Sequence, residues 1–314
     1  MKIVIRSEVR LALFVFVLTA LFPCVLRAQQ TETQQEQSDS ISIESNQVVL
    51  NVTVMDAATR FVTGLGVRDF QVFEDKAPQK IVNFSNEETS FAVVILLDVS
   101  GSMENKMAMA RSACTTFVER IRDGDVVAIY TFGGTKVKKI QDFTEVRDVA
   151  FQLWDTEADG MTPMYDGVWD AVKALAKRPE RRRAVLIVSD GADTSSRHGL
   201  EETIRESLND QVTLYGVDLS DAALFRASPR DNGAEVLKTM ALKTGGRFYN
   251  KPGTVALREA FAQTVDELRS QYTIVYEPSN EKRDGKWRTV EVRLKQPAYS
   301  VRTRQGYYAR KQAK

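Results

Sequence analysis

The sequence predicts an α/β fold: a doubly wound, mostly parallel sheet, inserted in or flanked by a small antiparallel β domain built from both chain ends. Two observations predict the central part. Phe91-Ala-Val-Val-Ile-Leu-Leu-Asp98 and Val185-Leu-Ile-Val-Ser189 are apolar on both faces, as strands of a sheet covered on both sides must be. Strand-like and helix-like runs alternate from Phe91 to Leu268, the pattern of parallel strands joined by crossover helices. A third observation predicts the periphery. The runs 47–55 and 287–294 alternate apolar and polar residues with a period of two, as half-buried antiparallel strands do.

Residues 1–28 read as a secretory signal peptide. Lys2, Arg6 and Arg10 precede an apolar run from Leu11 to Leu26, and Ala28 places a small residue at the cleavage position. The expected location is therefore secreted or periplasmic. An N-terminal membrane anchor is the alternative, although the apolar run is short for a span. Residues 29–42 are Gln, Thr, Glu and Ser with almost nothing apolar, a tether that cannot bury enough surface to order itself. Removing the leader takes away four positive charges and one negative, which turns the formal charge from +1 into −2. Such a chain has no basic attraction to nucleic acid. Of the two cysteines, Cys24 leaves with the leader, so Cys114 has no internal disulfide partner and the fold must rest on its core. Cys114 sits beside Ala113 and Phe117 in a predicted helix, as a buried, inert thiol does.

Residues 43–88 form a first β segment. Val48, Leu50, Val52 and Val54 share one face, and short strands follow around Phe70-Val72 and Ile81-Phe84. Residues 271–310 form a second, with strands at 271–276 and 287–294 and further alternation from Tyr299 to Tyr308. Three or four short strands are too few to stand alone, so the two segments are expected to share one β-sandwich-like domain. Between them, residues 91–270 make the central domain. Helices are predicted over 107–121, 146–153, 167–175, 200–208, 234–244 and 257–268, and Gly245-Gly246 closes the fifth. Strands are predicted over 126–132, 185–189, 212–217 and 248–249, with an edge strand at 137–143.

Asp98-Val99-Ser100-Gly101-Ser102 stands where the first buried strand ends and a helix begins. In open α/β sheets ligands bind at that end. Three hard oxygen ligands within five residues suit Mg²⁺ or Mn²⁺. The alternative is that these side chains only cap helices.

Asp98, Ser100 and Ser102 resemble the first loop of the metal-ion-dependent adhesion site of von Willebrand factor A (VWFA) domains. Gly160-Met161-Thr162-Pro163-Met164-Tyr165-Asp166-Gly167 resembles that family's threonine loop, and Ser189-Asp190-Gly191 its last loop. The resemblance covers roughly residues 91–270. Further out, Asp69-Phe70-Gln71-Val72-Phe73-Glu74-Asp75, Asp284-Gly285-Lys286-Trp287-Arg288 and Gly306-Tyr307-Tyr308 resemble a secreted VWFA-related family abundant in acidobacteria. What the resemblance implies is a site of five residues. Ser100, Ser102 and Thr162 would touch the metal, and Asp98 and Asp190 would act directly or through water. A protein partner would donate an Asp or Glu carboxylate as the missing ligand. Gly101 and Gly191 would allow tight turns beside the metal, and Asp166 would stand behind the ligands, orienting a water or the loop.

The implied function is divalent-metal-dependent protein binding or adhesion, with no catalysis, no nucleic acid and no small-molecule substrate. One alternative is a scaffold with a purely structural metal site. Another is a hydrolase using metal-activated water, which needs a base. The one histidine, His198, lies in a Ser-Ser-Arg-His stretch that reads as surface. There is no Gly-x-Ser-x-Gly elbow, no phosphate-binding Gly-x-x-x-x-Gly-Lys loop, and no Gly-x-Gly-x-x-Gly after the first α/β strand. Asp193 and Asp218 also fall near strand ends, where a solvated carboxylate is as good a reading as a functional one. Arg181-Arg182-Arg183 reads as a solvated helix end, Trp154 and Trp169 as core, and Trp287 as an anchor of the β domain.

Overall fold

The structure, a computed structural model, describes residues 47–153, 160–189, 193–220, 233–250 and 253–311. The expected leader and tether, Trp154, Asp190 and Gly191 lie outside the described residues. Among the described residues no helix is long and apolar enough to cross a membrane.

The centre is a six-stranded sheet in the order β10-β9-β8-β5-β6-β7. Its strands are β5 (Phe91–Asp98), β6 (Val126–Gly133), β7 (Lys136–Thr144), β8 (Arg182–Ser189), β9 (Thr213–Asp218) and β10 (Phe248–Asn250). All neighbours run parallel except β7, which returns antiparallel along β6 as the edge strand. Every residue of β5 is buried, so its period of two sorts side chains into two cores rather than a core and a surface. Val93, Ile95 and Leu97 pack with Cys114 and Phe117 of α1 (Met107–Glu119) and with Phe261 and Val265 of α5 (Thr254–Ser270). Val94 and Leu96 pack on the other side, with Val168 and Val172 of α2 (Met164–Ala176), Ile204 of α3 (Leu200–Asn209) and Leu237 of α4 (Gly233–Thr244). Gly245 ends α4 with φ +88, the left-handed cap the sequence signals. Cys114 is fully buried, and burial pushes its thiol up to about 12, so it is inert in the folded chain.

The remaining strands form two four-stranded sheets, β13-β1-β11-β4 and β14-β12-β2-β3. The first takes β1 (Val48–Met55) and β4 (Ile81–Ser85) from one end of the chain, and β11 (Tyr272–Tyr276) and β13 (Ser300–Arg302) from the other. The second combines β2 (Phe70–Glu74) and β3 (Ala77–Gln79) with β12 (Trp287–Leu294) and β14 (Gly306–Tyr308). Leu50, Val52 and Ile274 of one sheet and Phe70, Val72 and Val290 of the other share a single core. This is the β domain built from both chain ends that the alternating runs predict.

Two expectations fail here. Residues 146–153 are not a helix; a single turn of 3-10 helix spans Phe151–Leu153. Side chains satisfy the preceding backbone instead: Val146 N–H donates to Thr144 Oγ1, Val149 N–H to Asp148 Oδ1, and Ala150 N–H to Gln141 Oε1. Such local bonds compete with a helix. The arginine run is not a solvated helix end either. Arg182 is the first residue of β8 and fully buried. Its guanidinium donates to the carbonyls of Leu268 and Arg269 (2.9 Å each), Glu87 (2.9 Å) and Gln271 (2.5 Å).

Further bonds join the β strands to helix C-termini. Arg304 donates to Val49 O (2.8 Å) and to Leu208 O (3.4 Å) near the end of α3, and Gln305 N–H donates to Lys243 O (3.2 Å) near the end of α4. Glu267, fully buried on α5, pairs with Arg302 and accepts from Tyr215 Oη (2.9 Å) and Thr53 Oγ1 (3.2 Å). Helix C-termini in this sheet lead into strand beginnings, so these bonds lie at the end of the sheet opposite Asp98.

Candidate metal centre

Asp98 is the last residue of β5 and is fully buried. Its Oδ1 accepts Ser100 N–H (2.8 Å), which bends the chain back over the carboxylate. Its Oδ2 accepts the hydroxyl of Ser189 (2.5 Å), the last residue of β8. Ser100 is buried and Ser102 exposed, and their hydroxyl oxygens face each other at 3.1 Å. The capping alternative fails. Ser100 is the N-cap of the 3-10 helix Gly101–Lys106 but makes no side-chain cap bond, and the N-cap of α1 is Lys106, not Ser102. The two hydroxyls hydrogen-bond to each other instead.

Thr162, also buried, lies on an adjoining loop. Two close backbone approaches bring the loops together. Val99 N–H donates to Phe132 O (2.9 Å), and a Cβ added to Gly133 would fall 2.7–3.0 Å from Val99. A Cβ on Gly160, which has φ +55, would stand 3.3 Å from Gly134 Cα. The glycines that crowd the loops together are thus Gly160, which opens the threonine loop, and Gly133 and Gly134, which lie outside the quoted motifs. At Gly101 a Cβ would meet nothing of the protein within 4 Å. Its φ is not positive, so the turn does not require glycine. The signal available in the sequence was Gly133-Gly134 directly after a buried strand.

Asp98, Ser100 and Ser102 are thus in one cluster with Thr162 on the neighbouring loop, while Asp190 and Gly191 lie outside the described residues. The donor set is one buried carboxylate and several hydroxyls. Among the described residues no group of three or more His, Cys, Asp or Glu side chains gathers as a metal site. The residues present fit a small hard cation bound largely by neutral oxygens, Mg²⁺ or Mn²⁺, better than zinc or a carboxylate-rich calcium site.

The Asp166 carboxylate is engaged within the protein. Its Oδ1 accepts the N–H groups of Arg197 (3.1 Å) and His198 (3.2 Å), and His198 Nδ1 lies 2.7 Å from the same oxygen. Its Oδ2 accepts Arg197 Nε (3.2 Å). Burial pushes this carboxyl up, but the bonds from His198 and Arg197 outweigh it and hold the pKa below the ordinary value. His198 is not a solvated surface residue, because its ring stacks on Trp169 with centroids 4.0 Å apart and planes 9° apart. Trp169 in turn is only half buried, covered by the imidazole rather than by core. Asp193 accepts Tyr165 N–H (3.0 Å) and the Ser196 hydroxyl (2.5 Å) on Oδ2. Asp218 ends β9 and accepts Ser220 N–H (2.8 Å) and Asn250 Nδ2 (3.1 Å). These three carboxylates are tied into the protein, and none is a solvated helix-start residue.

Residues 93–192 match the family model of the von Willebrand factor type A domain. No curated protein matches the chain. Several solved structures resemble parts of it. An aerotolerance-related membrane protein from Bacteroides fragilis NCTC 9343 is 15% identical over 57% of this chain and 98% of its own, with a TM-score of 0.46. The conserved hypothetical protein BatB from Bacteroides thetaiotaomicron is 15% identical over 57% and 98%, at 0.44. The PilB minor pilin from Streptococcus sanguinis is 15% identical over 59% of this chain and 63% of its own, at 0.42.

Proposed function

This chain carries a von Willebrand factor type A domain, and from that premise we propose that it is a non-catalytic, divalent-metal-dependent protein-binding module. Asp98, Ser100, Ser102, Thr162 and Asp190 would hold Mg²⁺ or Mn²⁺, and the partner would be a protein presenting an Asp or Glu side chain. The observation that carries this reading is the pair of uncapped serine hydroxyls 3.1 Å apart beside the buried Asp98. Neutral hydroxyls offset little of a cation's charge. When bound, the cation therefore supplies an electrophilic position that favours a carboxylate from outside. The chain's own part is to hold the ligands. Ser189 and the Ser100 N–H fix both oxygens of Asp98, and the turn closed by the second bond leads directly into Ser100 and Ser102.

A binding role is favoured over hydrolysis because the sequence has none of the nucleophile-elbow or phosphate-loop motifs that a hydrolase of those classes carries; its one histidine, His198, bonds Asp166 and stacks on Trp169. The bonds that join the β strands to the helix ends lie at the other end of the sheet, so the β domain does not compete for the site. With the leader read as a signal peptide, the module would act in the periplasm or outside the cell.

Calorimetric titration of the mature chain with Mg²⁺ and Mn²⁺ tests the site, with circular dichroism as a control for folding. Asp98→Asn should weaken binding most, because it removes charge, and Ser102→Ala and Thr162→Ala should weaken it less. Unchanged affinity in both Asp98→Asn and Thr162→Ala would dispose of the metal site and the binding function together. A pulldown from an envelope fraction, with Mg²⁺ against a chelator, then tests for a metal-dependent protein partner.

A further inference from the structure

We propose that the segment Asp193–His198 is a brace that sets the position of Thr162 before any cation arrives, with Asp193, Thr194 and Asp166 as positioning residues; this rests on the metal-site reading above. The argument begins with a helix that cannot cap itself. Helix α2 starts after Pro163, whose side chain has no acceptor, and no side-chain cap bond comes from that residue. The first N–H groups of a helix have no partner within it. Here they find partners about thirty residues along the chain: Tyr165 N–H donates to Asp193 Oδ2 (3.0 Å, a separation of 28) and Asp166 N–H to Ser196 Oγ (3.0 Å, a separation of 30).

The helix returns the contact. Asp166 on its first turn accepts from the backbone of Arg197 and His198 and from both side chains, and His198 stacks on Trp169 of the same helix. Asp193 is itself held by the backbone and hydroxyl of Ser196. The result is a closed ring of bonds between the segment and the helix. Every oxygen of Asp166 and Asp193 accepts at least one donor of this ring.

Thr162 is fastened to this ring in both directions. Its N–H donates to Thr194 Oγ1 (2.8 Å), and its carbonyl accepts Thr194 N–H (3.0 Å). Both backbone groups are spent, and among the bonds of the described residues none takes the Thr162 hydroxyl. The side chain is thus held on a fixed backbone with its oxygen kept available. A ligand ordered in advance loses less entropy when it binds, so the brace should strengthen cation binding without touching the cation.

The test uses Mn²⁺ as the probe and the whole mature chain. Thr194 is exposed, so Thr194→Val keeps the shape, deletes the acceptor and leaves the core alone. Mn²⁺ affinity is expected to fall about tenfold, as for loss of other outer partners of metal ligands. In metal-free protein the Thr162 amide should exchange about tenfold faster by NMR, since its acceptor is gone. The unfolding midpoint should stay, and Thr194→Ser should restore both readouts. Ser196→Ala should move them in the same direction through the helix cap. If Thr194→Val binds Mn²⁺ like the wild type while Thr162→Ala does not, or if the Thr162 amide exchange is unchanged, there is no brace, although the metal site stands. If the wild type takes up no Mn²⁺, the site reading fails and the brace falls with it.

Discussion

Arg182 offers a sharp test of how the two halves of the chain are joined. It is fully buried and donates to four carbonyls: Leu268 and Arg269 in the last turn of α5, Gln271 just beyond it, and Glu87 before β5. The helix carbonyls have no partner within the helix. Burial lowers the guanidinium to about 10, against the pull of Glu88 and Asp125, so it stays charged at neutral pH. Arg182→Ala would strand three buried acceptors, each worth about 1–3 kcal/mol if left unmade, and leave the carbonyl of exposed Glu87 to water. Their sum overstates the loss, because water enters the gap and the cost of burying the charge is relieved. A net loss of about 3–5 kcal/mol is expected, the lower part of the range for three unmade buried acceptors. That is a large part of the roughly 5–15 kcal/mol holding a folded domain. Arg182→Lys keeps the charge but has one nitrogen where two serve separate pairs of carbonyls, so it should lose about 1–2 kcal/mol. Urea unfolding of the mature chain measures both. A lysine variant as stable as the wild type, or an alanine variant within about 1 kcal/mol of it, would show that the four bonds do not anchor the helix.

Two further outcomes are expected. The Asp166 carboxyl is held below its ordinary value by His198 and Arg197 against burial, so its contribution is present above the unfolded carboxyl's pKa and is lost as pH falls through the folded one. The stability gap between wild type and Asp166→Asn should therefore be full at pH 7 and narrow below about pH 4; a gap that does not change with pH would refute it. Exported protein should begin at Gln29 by N-terminal sequencing, whereas an intact Met1 in soluble cytosolic material would overturn the signal-peptide reading.

Much of the fold was legible because burial leaves a periodic mark. Phe91–Leu97 is apolar without alternation, and only a strand covered on both faces tolerates that. Val48, Leu50, Val52 and Val54 alternate, and a one-sided strand follows. The run 146–153 misled because Val149 and Leu153 are indeed buried at a helix-compatible spacing, while Thr144, Asp148 and Gln141 capture the backbone N–H groups a helix would need. Arg181–Arg183 misled because charge in sequence says nothing of the acceptors that can gather around it.

By itself, the sequence determined the α/β order and the place of one carboxylate, Asp98, with the hydroxyls of Ser100 and Ser102 at the end of a buried strand. These are properties of neighbouring residues, and local periodicity and chemistry carry them. Only the tertiary structure decided that the serine hydroxyls are not helix caps, that Gly133 and Gly160 let the loops close up, and that Arg182 is a buried anchor. It also joined Asp166, Asp193 and His198 into one bonded ring, to which Thr162 is tied through Thr194. Each of these depends on donors and acceptors that lie far apart along the chain, and folding alone determines which of them meet.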